Sequence, residues 1–126
     1  MDKYLIFGAT GAIGSNLAQQ LKNSNKNIHL IGRNHEKLEE MSSNLKCDYT
    51  VINILSENIS EELKEEFNNT NISGIAYCIG SIDLKPLRIS KKEDFQRCLE
   101  INFFPIIEAI RTLQDNLKRN KGSIVL

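Results

Sequence analysis

Seven residues near the start constrain this chain most. Gly8-Ala9-Thr10-Gly11-Ala12-Ile13-Gly14 lies between an apolar run of strand length, Tyr4 to Phe7, and a segment of helical period. A strand that turns through glycines straight into a helix presents backbone N–H groups at the positive end of the helix dipole. The pyrophosphate of a dinucleotide fits such a turn, where a Cβ would block the tight bend or the approach of phosphate. A glycine-rich turn with no ligand is the plain alternative, and the strand–turn–helix setting favours the nucleotide. A Walker-type phosphate loop is excluded, because no Lys-Ser or Lys-Thr follows these glycines.

The remainder of the chain repeats the same unit, strand-length apolar runs alternating with helical periods. On the first helix Ile13, Leu17 and Leu21, with Ala18 beside them, form one apolar stripe. A second strand is expected over Ile28 to Ile31, and Asn34 caps a helix that buries Leu38, Met41 and Leu45. A third strand runs from about Tyr49 to Ile54. Ser60 then caps a short acidic helix with Glu61 and Glu62 in its first turn and Leu63 and Phe67 facing inward. Gly74 to Ile79 is almost wholly apolar, as a central strand covered on both faces must be, and belongs beside the first strand.

Ser90-Lys91-Lys92-Glu93 reads as a capping box opening the longest helix, apolar at Phe95, Leu99, Phe103, Ile106, Ile110, Leu113 and Leu117. Pro105 inside that run predicts a kink and leaves the carbonyl of Ile101 without its helical donor. Gly122 to Leu126 reads as a fifth strand. The expected architecture is α/β, one domain over residues 1–126 with a Rossmann-like, doubly wound parallel sheet. Its five strands are expected in the order 3-2-1-4-5 with flanking helices.

Charge and composition exclude several classes of function. The 126 residues carry 16 Lys+Arg against 16 Asp+Glu, so no excess of positive charge points to nucleic acid or a membrane surface. No apolar run approaches the ~18 residues of a membrane-spanning helix, and the N-terminal run is too short for a signal peptide, which places the chain in the cytoplasm. Cys47, Cys78 and Cys98 are odd in number and lack C-x-x-C spacing, so they are expected to be reduced, mostly buried thiols, with no disulfide framework and no zinc site. His29 falls in a strand and His35 in the first turn of a helix, where the dipole disfavours a metal or an imidazolium. No metal site is expected.

The end of the second strand bears on the choice of dinucleotide. NAD sites place an acidic residue there for the ribose hydroxyls, whereas this chain has Gly32-Arg33-Asn34. Arg33 can pair with a 2′-phosphate through two hydrogen bonds, and Lys37 lies one turn further on. NADP(H) is therefore favoured over NAD(H), the bland alternative being that Arg33 is a solvated surface charge.

Further positions match one known family. Asn53-Ile54 follows the third strand, and Tyr77-Cys78-Ile79-Gly80 closes the fourth. Asp94-Phe95, Glu100-Ile101-Asn102-Phe103 and Lys121-Gly122-Ser123-Ile124-Val125 mark the long helix and the fifth strand. Together with the glycine turn, these resemble the N-terminal half of the short-chain dehydrogenase/reductase superfamily, from Lys3 to Leu126. The glycines take the G-x-x-G-x-x-G spacing more typical of the family's extended and atypical branches; the commoner form has its middle glycine at position 12, where this chain has Ala12. Asn53 stands where the family has an Asp that contacts adenine, and of the family's Asn-Asn-Ala-Gly only Gly80 matches.

The resemblance implies cofactor contacts at Gly8, Thr10, Gly11, Ala12, Ile13 and Gly14, at Arg33 and Asn34, at Asn53 and Ile54, and at Cys78, Ile79 and Gly80. Asn102 is the one catalytic position it implies. Lying in the apolar stripe between Leu99 and Ile106, its amide must be hydrogen-bonded. In the family the matching Asn interrupts the helix and helps hold a water of the proton relay. Bonding to a local free carbonyl, such as that of Ile101, would satisfy it equally.

The chemistry implied is hydride transfer between a nicotinamide and a small-molecule carbonyl or alcohol, with a serine and a Tyr-x-x-x-Lys pair moving the proton. None of Tyr4, Tyr49 and Tyr77 has Lys four residues later. The expectation is thus an oxidoreductase truncated before its catalytic Ser, Tyr and Lys, inactive as these 126 residues and with an unpaired sheet edge. Family dimers often pair the long helix with a later one, which leaves a homo-oligomer open to the intact protein without settling its oligomeric state. A non-catalytic dinucleotide-sensing or partner-binding module is the alternative. A flavodoxin-like domain shares the strand order but would have an acidic cluster after the first strand and leaves the glycines unexplained.

Overall fold

The computed structural model describes residues 2–126. Five parallel strands, β1 (Lys3–Phe7), β2 (Ile28–Gly32), β3 (Asp48–Val51), β4 (Ile72–Tyr77) and β5 (Ser123–Val125), form one sheet in the order β3-β2-β1-β4-β5. The helices are α1 (Ala12–Asn23), α2 (His35–Leu45), α3 (Ile59–Phe67), α4 (Lys92–Asn102) and α5 (Phe104–Arg119). The strand order is the one expected, and it reverses direction at β1, so the C-terminal ends of β1 and β4 open the crevice where α/β sheets bind ligands.

Strand alternation distributes the core over two faces. Ile6, Ile28 and Leu30 pack with Ala18 and Leu38 under α1 and α2. Leu5, Phe7 and Ile31 point the other way, onto Leu63 and Phe67 of α3 and Ile106, Leu113 and Leu117 of α5. Asn116 of α5 is buried there, its amide donating to the carbonyls of Phe67 (2.7 Å) and Thr70 (2.9 Å) at the end of α3.

Several boundaries and faces differ from expectation. β3 ends at Val51, which puts Asn53 and Ile54 in the turn beyond it, and β4 starts and stops two residues earlier than its apolar run. Asn34 caps α2 as expected, accepting from the Lys37 N–H at 3.1 Å. Ser60 caps nothing: α3 begins after Asn58, and the Ser60 hydroxyl donates to Glu108 of α5. Ser90 donates to the Pro86 carbonyl, while the carboxylate of Asp94 takes the Lys91 N–H at 2.8 Å as the acidic half of a capping box.

Ile13 is 74% exposed, and the buried residues of α1 are Gly14 and Ala18. Small side chains let this helix lie close to the sheet, so the large apolar residue flanking them is turned outward. The long helix is two helices broken at Phe103, with Pro105 in the first turn of α5, where a missing N–H costs nothing. Phe95, Leu99 and Phe103 lie half exposed on the outer side of the α4 region rather than in the core. The cysteines also depart from expectation: Cys47 and Cys78 are half-buried and Cys98 is exposed.

Candidate functional site

Where β1 ends, Gly8 adopts φ +75°, a conformation that costs glycine little, and a Cβ there would come within 2.9 Å of the Cys78 carbonyl oxygen. The turn is held by the Gly8 and Ala9 N–H groups donating to Ile31 O and by Gly11 N–H donating to Gly8 O. Gly11 is the N-cap of α1 and no side chain caps that end, nor does any acidic residue occupy its first turn. The N–H groups of Ala12 and Ile13 therefore have no intrahelical acceptor and are available to an anion.

A cavity of about 390 Å³ opens beside this turn. Gly8, Thr10 and Gly11 form one part of its wall, Gly32 and Arg33 from the end of β2 another, and Asn53 and Ile54 from the end of β3 a third. Cys78, Ile79 and Gly80 close it from β4. A more open groove of about 760 Å³ shares those three residues and continues over Ala12 and Ile13 toward Val125 and Leu126. Residues from five separate places in the chain thus meet at the C-terminal edge of the sheet.

Of the expected cofactor positions, two do not line either space, and neither does Asn102. Gly14 is buried in packing, where an added Cβ would collide with the backbone of Gly8. Asn34 has its side chain committed to capping α2. Asn53 lines the cavity with its Oδ1 accepting from Leu55 N–H at 3.0 Å, so the group it can offer a ligand is the Nδ2 donor.

Asn102 is half-buried and fully engaged. Its Oδ1 accepts from the Ser81 N–H at 3.0 Å, and its Nδ2 donates to the carbonyls of Ser81 (2.8 Å) and Cys98 (3.0 Å). It does not bond the Ile101 carbonyl; the local carbonyl it takes is that of Cys98, one turn back in α4. The Tyr77 hydroxyl donates to Ile101 O instead, at 2.8 Å. Sequence reasoning missed Ser81, Ile101 and Leu55 as cavity residues and Tyr77 as the donor. The one available signal was Pro105, which announces that Ile101 O needs a partner without saying which.

Burial sets the protonation of the titratable groups in and around this site. Burial pushes the Tyr77 phenol up to about 12, so it stays a protonated donor. Burial also raises the Cys78 and Cys47 thiols above their usual range. His29, buried in β2, is driven down to about 4 by burial and then by the Lys3 ammonium, against the weaker pull of Glu66 and Asp48. It sits against Thr50 Oγ1 at 2.7 Å and edge-on to Phe67, on the α3 side of the sheet. Among the described residues no three His, Cys, Asp or Glu side chains gather as a metal site, and no helix is long and apolar enough to cross a membrane.

The short chain dehydrogenase family model matches residues 3–126. The 3-oxoacyl-[acyl-carrier-protein] reductase FabG of Rickettsia bellii is 32% identical over 117 residues, covering 89% of this chain and 48% of its own. FabG of Rickettsia conorii is 31% identical over the same shares. The chain spans about half the length of the curated relatives it matches. Among solved structures, an alcohol dehydrogenase from the archaeon Thermococcus sibiricus, complexed with 5-hydroxy-NADP, superposes with TM-score 0.89 at 22% identity, over 99% of this chain and 57% of its own. Serine dehydrogenase from Escherichia coli gives TM-score 0.83 at 18% identity, over 98% and 60%.

Proposed function

Because the chain belongs to the short-chain dehydrogenase family, we propose that it is the cofactor-binding half of an NADP(H)-dependent oxidoreductase acting on a carbonyl or alcohol. The observation that carries this reading is the single cavity joining the glycine turn, Arg33 and Gly80. A dinucleotide laid across it has its pyrophosphate at the N-terminus of α1, its adenosine toward β2 and β3, and its nicotinamide toward β4. The 2′-phosphate then falls beside Arg33, and the base beside Asn53 and Ile54. The bound nicotinamide supplies the hydride chemistry; these residues bind and orient it.

Carbonyl reduction is the favoured direction, supported by the reductases among the relatives. The 126 residues contain no Tyr-x-x-x-Lys pair, so by themselves they bind cofactor without turnover. Titrating the chain with NADPH and with NADH tests the reading. Saturable binding that is tighter for NADPH supports it, with no oxidation of NADPH by a panel of ketones. Failure to bind either dinucleotide would overturn it, and turnover above a protein-free control would overturn the inactivity.

A further inference from the structure

Ile101 lies in the last turn of α4, whose carbonyls have no intrahelical donor once the helix breaks at Phe103, and Pro105, four residues on, has no N–H to supply one. The Tyr77 hydroxyl supplies the missing donor at 2.8 Å, and it does so at the last turn of α4, just before the break at Phe103. The next residue, Asn102, grips Ser81 through both its N–H (3.0 Å) and its carbonyl (2.8 Å). The intervening Gly80 fits tightly, since a Cβ on it would stand 3.1 Å from Asn102 Oδ1. Two fastenings therefore join the end of β4 to the end of α4: Tyr77 to Ile101, and Ser81 to Asn102.

The first fastening is well anchored. Tyr77 is buried, and its ring lies 6.1 Å from that of Phe7, the residue immediately before Gly8. Gly80, Ser81 and Ile101 all line the cavity, and Gly80 and Ser81 follow β4, which β1 separates from the two strands that lead to Arg33 and Asn53. A shift at the helix break would move that wall and leave the opposite one in place.

We propose that Tyr77 is a positioning residue for the dinucleotide, its hydroxyl holding Ile101 O so that Asn102 grips Ser81 where the nicotinamide half must lie. The inference rests on the dinucleotide reading above and adds to it a residue that departs from the family's pattern at this position. A purely structural role for Tyr77 would weaken every ligand alike. A positioning role weakens NADPH while sparing 2′,5′-ADP, which reaches only the glycine turn and the Arg33 side.

The test compares wild type, Tyr77→Phe and Asn102→Ala in titrations with NADPH and 2′,5′-ADP, alongside hydrogen exchange at the Ser81 amide. In Tyr77→Phe the Ser81 amide is expected to exchange faster. NADPH affinity should fall about three- to tenfold, the range of one buried hydrogen bond, with 2′,5′-ADP unchanged. Asn102→Ala should give the same selective pattern, which keeps the test decisive if Tyr77→Phe folds poorly. Unchanged NADPH affinity in either folded variant, or equal loss of both ligands, overturns the proposal. If wild type binds neither ligand, the dinucleotide reading falls and this inference with it; wild-type Ser81 exchange in Tyr77→Phe overturns this inference alone and leaves that reading standing.

Discussion

Gly14 of α1 lies against the carbonyl of Gly8, so close that a Cβ on Gly14 would overlap the Gly8 backbone. Gly11, three residues earlier, would bring a Cβ only to 3.5 Å of the same oxygen, an ordinary contact. One glycine of the turn therefore serves packing, and the other leaves space at the proposed phosphate site. Gly14→Ala should destabilise the fold by about 1–3 kcal/mol through overpacking against rigid backbone, visible as a lowered Tm. Gly11→Ala should keep the wild-type Tm and weaken dinucleotide binding. A reversed order of the two effects would refute this division.

Acid sensitivity should arise at His29. Its folded value of about 4 lies below the ordinary 6.5, so the unfolded chain takes up a proton first as pH falls. Stability from this residue is complete above pH 6.5, declines between 6.5 and 4, and changes no further below that. The loss across the window is about 3 kcal/mol at most. Asp48, held below its usual range chiefly by its hydrogen bond to Lys3, loses its contribution at still lower pH. Urea unfolding of wild type and His29→Gln at pH 7 and 4.5 checks this; an equal fall in both proteins would remove His29 as the cause.

Asn116→Ala should cost about 1–3 kcal/mol, because it strips the donor from two carbonyls, Phe67 and Thr70, at a site from which water is largely excluded. Asn116→Asp should do no better, since an ionised carboxylate accepts and does not donate. Equilibrium unfolding that left either variant at wild-type stability would contradict the clasp between α3 and α5.

The three thiols should react in a fixed order. Cys98 is exposed, whereas Cys47 and Cys78 are half-buried with thiols raised by burial, and only the thiolate attacks an alkylating reagent. Iodoacetamide followed by peptide mass mapping should label Cys98 first. NADPH should slow labelling of Cys78, which lines the cavity, and leave Cys98 unaffected. Early labelling of Cys78 would count against the geometry.

Much of the fold was legible because its signals are local. The apolar runs Tyr4 to Phe7 and Gly74 to Ile79 marked the strands, and the glycines marked the turn. Ile13 misled because periodicity finds large apolar residues, while the close face of α1 is made of Gly14 and Ala18. Phe95, Leu99 and Phe103 have helical spacing, yet spacing identifies a face and not what covers it. For the site, Arg33, Asn53 and Gly80 could be proposed from their places after strands. Tyr77 and Ile101 could not, since their bond spans 24 residues and depends on where α4 breaks.

If the cavity reads a dinucleotide's 2′-phosphate through Arg33, as proposed, calorimetric titration of Arg33→Asp exposes it. Loss of a charge-assisted pair, with a carboxylate in its place, should weaken NADPH by about tenfold or more, while NADH affinity holds or improves. NADPH affinity equal to that of wild type would contradict the account.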